Sequence, residues 1–182
     1  AFSRLRFKFR DKLFLLFVLT LVLPQEVLVV PLFIMINSWG WNDTYGALII
    51  PFAFTAFGTF LMRQFFLTIP IEYEEAALID GASRLRTLWS VLLPQLVAPL
   101  SVLAVFSFIG YWNSYLWPLI IINTQDMATV PLGLGMFTGQ FGTQWSLLMA
   151  ASTLAVIPSL ILVLLLQRQL IKGVTLGGLG GR

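Results

Sequence analysis

Long apolar runs without charge, separated by short charged clusters, set the architecture of this chain. About 20 apolar residues in a helix cross a hydrocarbon core of roughly 30 Å. Between Asp43 and Arg63 lie 19 uncharged residues, between Arg86 and Asp126 lie 39, and between Asp126 and Arg168 lie 41. The first interval holds one span, and each of the longer two must hold a span plus an uncharged connection. Pro and Gly place these spans at about 46–62, 96–122 and 145–167. A further apolar stretch, interrupted by Pro24, Gln25, Glu26 and Pro31, predicts a span at about 13–36. Its apolar start is not read as a signal peptide, because no small-residue cleavage pattern follows. The expectation is an all-α, polytopic transmembrane helix bundle forming one domain over residues 1–182. It has four spans, a polar loop at about 63–95 and an opposite loop at 123–144.

Composition supports this picture. Of 182 residues, 58% are hydrophobic and 10% charged, against about 25% charged in an ordinary soluble domain, too few to cover a water-soluble body. His and Cys are both absent, which excludes a Ser-His-Asp triad, a Cys nucleophile, disulfides, structural zinc and haem held by His or Cys. All 11 Lys and Arg residues fall on one side of a four-span path: five before the first span, three between the second and third, and three after the fourth. The opposite loops carry only Asp43 and Asp126. Because cytoplasmic flanks collect basic residues, both ends and the 63–95 loop are predicted cytoplasmic. The net charge of +3 therefore reports topology, and no nucleic-acid partner is expected. Trp39, Trp41, Trp112, Trp117 and Trp145 fall near the outer ends of spans, where interfacial anchoring is the expected role.

The 70–94 segment carries the most chemistry. Pro70 suits the start of a helix, and Glu72, Glu74 and Glu75 complement the positive end of its dipole. That helix is expected to run to about Asp80. Ala77 and Gly81 would leave a bare patch for close approach, with Gly81 ending the helix. Ser83 can cap a second helix in which Leu85, Leu88, Trp89 and Leu92 form one apolar stripe, ended by Pro94. A solvated connection would explain the charges alone. The small residues, glycine corner and projecting helix point instead to a docking surface.

Glu75-Ala76-Ala77, three residues, Gly81, nine residues, then Val91-Leu92-Leu93-Pro94 resembles the EAA motif of bacterial ATP-binding-cassette import permeases. Val91 stands where the family usually has Ile. Pro24-Gln25-Glu26, Arg63-Gln64-Phe65-Phe66, Trp112-Asn113, Trp117-Pro118-Leu119 and Gln167-Arg168 resemble the maltose-type sugar permeases. The resemblance implies an inner-membrane permease subunit of a binding-protein-dependent sugar importer, whose loop docks as a coupling helix on a cytoplasmic ATPase dimer. Glu75 would pair with a basic group of the ATPase; Ala76, Ala77 and Gly81 would permit close contact; Asp80 would share that surface, and Pro94 would close the motif. ATP and Mg would be used by the partner, with no cofactor or metal on this chain. The resemblance also implies a second, different permease subunit, an extracytoplasmic solute-binding protein facing the 123–144 loop, and about two further spans upstream, making six.

Glu26 is the only residue inside a predicted span that is charged at neutral pH, and with Asn113 and Ser114 it is a candidate for the translocation path. Each also has a structural reading: Glu26 can satisfy backbone donors freed at a helix break, and Asn113 and Ser114 can bond between helices. The alternatives are a permease for glycerol phosphate or another charged solute, a passive channel, and a membrane-embedded enzyme using Glu72, Glu74 and Asp80.

Overall fold

The computed structural model describes residues 1–139 and 142–178, with side chains to residue 171. Gln140, Phe141 and residues 179–182 lie outside the described residues, and with them Arg182 and the Gly180-Gly181 end. The chain is mainly helical, with one small hairpin departing from the all-α expectation: β1 (Thr138–Gly139) pairs antiparallel with β2 (Gly142–Thr143).

The predicted spans are present as helices, broken where the backbone loses a donor. The 13–36 stretch is α1 (Arg10–Leu19) with a 3-10 turn, then α2 (Gln25–Ser38) after Pro24. Pro31 does not interrupt α2; a single missing N–H is tolerated in an apolar helix. The 46–62 stretch is two pieces, α3 (Tyr45–Ile49) with a turn containing Pro51, and α4 (Ala56–Thr68). The break is fixed by Thr55, whose hydroxyl accepts the Gly58 N–H. The 63–95 loop holds α5 (Glu72–Ile79), α6 (Arg84–Thr87), a π turn (Leu88–Leu92) and α7 (Leu93–Gln95). Contrary to expectation, the 96–122 stretch is not one helix. α8 (Val97–Trp112) stops and α9 (Leu116–Ile121) restarts, because the ring of Pro118 would meet the carbonyl of Ser114 in a continuous helix. α10 (Val130–Gly135) lies in the 123–144 connection, and α11 (Trp145–Gly178) is continuous through Pro158. Among the described residues one helix, at Trp145–Ile171, is long and apolar enough to cross a membrane by itself. Counting each of three broken helix pairs as one span makes up to four; the third pair joins 84–95 to 97–112, not 96–122.

The chain forms two compact units. The first comprises Ala1–Val22, Thr55–Val105 and Leu166–Arg182. In it α1 packs on α4, and Ile69, Leu92 and Leu96 form a core joined by Met62, Phe65, Phe66, Leu88 and Leu100. Gly58 permits close packing: a Cβ there would stand 2.9 Å from Thr55 Oγ1 and 3.3 Å from Leu103.

The second unit comprises Leu23–Phe54 and Phe106–Leu165. Its core is Ile36, Ala47, Trp117, Ile121 and Ile122, with α2 and α3 packed on α9. Trp117 is buried here rather than anchored at an interface. Its indole N–H donates to the Ala47 carbonyl at 3.0 Å, the acceptor that residue 51 would serve if it were not proline. The Tyr111 hydroxyl donates to the Phe52 carbonyl at 3.0 Å beside the same break. Trp112 stacks on Phe108 and donates to the Ala155 carbonyl at 2.9 Å, in the turn before Pro158. Trp39 and Trp145 do stand exposed.

Candidate functional site

α5 is built as the spacing predicts at both ends. Glu72, Glu74 and Glu75 occupy its first turn. At its end Gly81 adopts φ +79°, its N–H bonds the Leu78 carbonyl, and the Ala82 N–H bonds the Ala77 carbonyl at 2.9 Å. This is a Schellman closure, which calls for glycine at the left-handed position. Ser83 then caps α6: its hydroxyl accepts the Arg86 N–H at 3.3 Å, and Thr87 donates to its carbonyl at 3.1 Å. Such a cap contributes about 1 kcal/mol.

Glu75, Ala76, Asp80 and Gly81 all lie exposed on α5 and its cap. Ala77 does not: it is buried where α5 packs on α6 and the π turn, so the expected bare Ala77–Gly81 patch is absent and Ala77 serves internal packing. A Cβ on Gly81 would meet no atom within 4 Å, so the space over the cap is open. Pro94 is exposed in α7, one residue before the helix ends at Gln95 and the chain bends by 80° into α8. The apolar stripe also divides. The extra residue per turn at Leu88–Leu92 rotates the register, sending Leu88 and Leu92 into the core while Leu85 and Trp89 stay outside at 70% and 69% exposure. With Leu78 and Ile79, the latter 86% exposed, they add an apolar component to this surface that charge and spacing did not reveal.

Two arginines, Arg4 and Arg63, tie this loop and the end of α4 to the start of the chain, a role that neither their charge nor the Arg63-Gln64-Phe65-Phe66 resemblance announces. Arg4 Nη2 donates to the Phe66 carbonyl at 2.6 Å and to the Ile69 carbonyl, in the last turn and at the C-cap of α4. Its Nε lies 2.7 Å from Glu74 Oε1, an ion pair not aligned as a hydrogen bond, with both side chains largely buried. Arg63 donates to the Phe2 carbonyl at 3.1 Å, pairs with Asp11 at 3.1 Å and lies over the Phe14 ring at 4.1 Å. No local pattern announces these contacts, which join residues about 50 to 70 apart in sequence. Glu74 is thereby engaged, whereas Glu72 is exposed.

The path candidates stand apart from this loop in sequence, in the second unit. Glu26 is exposed in the first turn of α2, and among the described residues its side chain accepts no hydrogen bond from the backbone donors freed there. Asn113 is exposed and donates to the Ile109 carbonyl at 2.8 Å. It closes its own helix rather than bridging two. Ser114 is half-buried in the α8–α9 break. Asp43 does more than mark a loop. In a left-handed conformation at φ 60°, it accepts the Asn123 and Thr124 N–H groups at 3.0 and 3.2 Å and the Thr124 hydroxyl at 2.8 Å. The bond from Asn123, followed by that from the Thr124 hydroxyl, lowers its pKa below the ordinary carboxylate value. The 123–144 connection thus begins pinned to the α2–α3 turn. Further along, the Gln144 N–H bonds the Phe137 carbonyl beside the hairpin. Among the described residues no cluster of three acids could hold a metal.

A family described as "Binding-protein-dependent transport system inner membrane component" matches residues 1–176. The chain is 42% identical over 170 residues to the sn-glycerol-3-phosphate transport system permease protein UgpE of Yersinia pestis bv. Antiqua (strain Antiqua), covering 92% of this chain and 60% of that protein. Its identity to the protein of the same name from Escherichia coli O1:K1 / APEC is also 42%, with the same coverage. The chain therefore spans about 60% of the length of these relatives. In fold it is similar to a bacterial ABC transporter involved in the import of the acidic polysaccharide alginate. The TM-score is 0.81 at 24% identity, over 92% of this chain and 64% of that one.

Proposed function

Because the chain belongs to the family of binding-protein-dependent transport system inner membrane components, we propose that it works as the permease of an importer for a neutral sugar or oligosaccharide. The observation that carries this reading is the exposed face of α5, with Glu75, Ala76, Asp80 and a capped Gly81 in open space. A rigid, capped helix of this kind suits the cleft of a cytoplasmic ATPase. Both ends of the chain and the 63–95 loop would be cytoplasmic, in keeping with the one-sided Lys and Arg. ATP and Mg act in the ATPase dimer, and this chain carries no catalytic step. Closure of that dimer would displace α5, and the spans would rock between inward-open and outward-open states against a second permease subunit. An extracytoplasmic solute-binding protein would deliver the solute at the 123–144 side.

Glycerol phosphate is the second reading, favoured by the UgpE relatives. Against it stands the charge of the second unit: residues 23–54 and 106–165 contain Glu26, Asp43 and Asp126 but no Lys or Arg. A phosphate path would call for cationic partners. Reconstitution of the full-length subunit with its partners in liposomes tests the choice. ATP-driven uptake of labelled neutral oligosaccharide, with no uptake of labelled glycerol phosphate, is expected. The reverse preference would replace the first reading with the second, and flux without ATP would favour a channel.

A further inference from the structure

The first unit contains a three-way joint that neither the motif nor the proposed docking surface accounts for. The Arg4 guanidinium sits between the carbonyl end of α4 and the acidic first turn of α5. Both positions carry the charge it answers: the last carbonyls of a helix are partially negative, and Glu74 is a carboxylate. Only Ile69, Pro70 and Ile71 connect α4 to α5, and a connection that short leaves the angle between the helices to whatever bridges it. Nearby, Arg63 holds the same N-terminal segment to α4 through Phe2, Asp11 and the Phe14 ring. Displacing α5 therefore pulls on the segment that leads into α1 as well as on α4.

We propose that Arg4 is a positioning residue that locks the α4–α5 joint, so that a push on the docking helix moves α4 and the start of α1 together. This rests on the reading of α5 as the ATPase-docking helix. The planar fork matters as much as the charge: one guanidinium serves two carbonyls and a carboxylate, whereas an ammonium is a compact point charge on a flexible stem. Losing the fork would leave carbonyls of α4 without that donor and α5 hinged about Pro70.

Residues 1–182 contain no cysteine, so in an importer whose remaining cysteines have been replaced, paired spin labels at Gln64→Cys and Tyr73→Cys, on exposed positions of α4 and α5, report the joint directly. The measurement uses the full-length subunit in its assembled importer, with and without Mg-ATP. The unsubstituted joint is expected to give one narrow distance distribution. Arg4→Gln is expected to at least double its width while the ATPase remains bound and basal ATP hydrolysis stays within twofold. Glu74→Gln, which spares the carbonyl grip, should broaden it less, and Arg4→Lys should restore the width only in part. An unchanged width in Arg4→Gln overturns the inference. So does loss of the bound ATPase together with the broadening, since that marks a fold requirement rather than positioning. If no ATPase accompanies the unsubstituted protein, the docking reading fails while the width of the joint is still measured, so the two failures are distinguishable.

Discussion

Trp117 shows how a residue that reads as interfacial becomes a core residue once its partner is known. Pro51 removes the donor that would serve the Ala47 carbonyl, and in apolar surroundings an orphan carbonyl costs about 1–3 kcal/mol; the indole supplies the missing bond. Trp117→Phe should therefore destabilise the protein by about that amount. Adding Pro51→Ala, which restores the backbone donor, should recover part of the loss in a double-mutant cycle read by thermal unfolding in detergent. Aromatic position and spacing could be read from the chain, but this pairing across 70 residues could not. Asp43 behaves similarly. Its depressed pKa means that its bonds stabilise the folded state above the unfolded carboxylate value, and that this contribution is lost as pH falls through the folded value. Asn tolerates the same left-handed backbone. Asp43→Asn should thus lower stability near neutrality and flatten the loss of stability on acidification, which unfolding temperatures between pH 3 and 6 would reveal.

Local signals were legible at the scale of elements, and tertiary ones were not. The acidic first turn of α5, its glycine closure and the Ser83 cap depend on neighbours within a few residues, and each stands as the spacing predicts. The burial of Ala77 and the π turn depend on what packs alongside, whereas the breaks in the 46–62 and 96–122 stretches follow from Pro51, the Thr55 cap and Pro118, which charge intervals alone do not weigh. Two glycines separate these causes. At Gly81 a Cβ meets no neighbour but the backbone is left-handed, so Gly81→Ala should cost about 1 kcal/mol through φ alone and leave the loop folded. At Gly58 the backbone is helical and the space is filled. Gly58→Ala would press on the Thr55 oxygen that caps α4, and loss of that cap should cost about 1–2 kcal/mol. Thermal unfolding of the two variants side by side checks the contrast.

For the whole molecule, the proposed orientation rests on the distribution of charge and the proposed coupling on the exposed α5 surface. Since residues 1–182 contain no cysteine, single substitutions map their sides once any cysteine elsewhere in the subunit is replaced. Ser90→Cys should react with a membrane-impermeant maleimide only from the cytoplasmic face, and Thr138→Cys only from the opposite one. The family and the mainly helical membrane character were readable because charge spacing and the 75–94 motif are properties of the linear chain. The joint at Arg4 was not, because it unites residues 4, 66, 69 and 74 only in the fold. The central claim is that α5 docks an ATPase, and its most direct measurement is affinity purification of the full-length subunit from its native membrane beside a Gly81→Trp variant. The account predicts that a nucleotide-binding subunit accompanies the first and is lost from the second, with both inserted equally in the membrane. An ATPase retained by the variant, or absent from both, would contradict it.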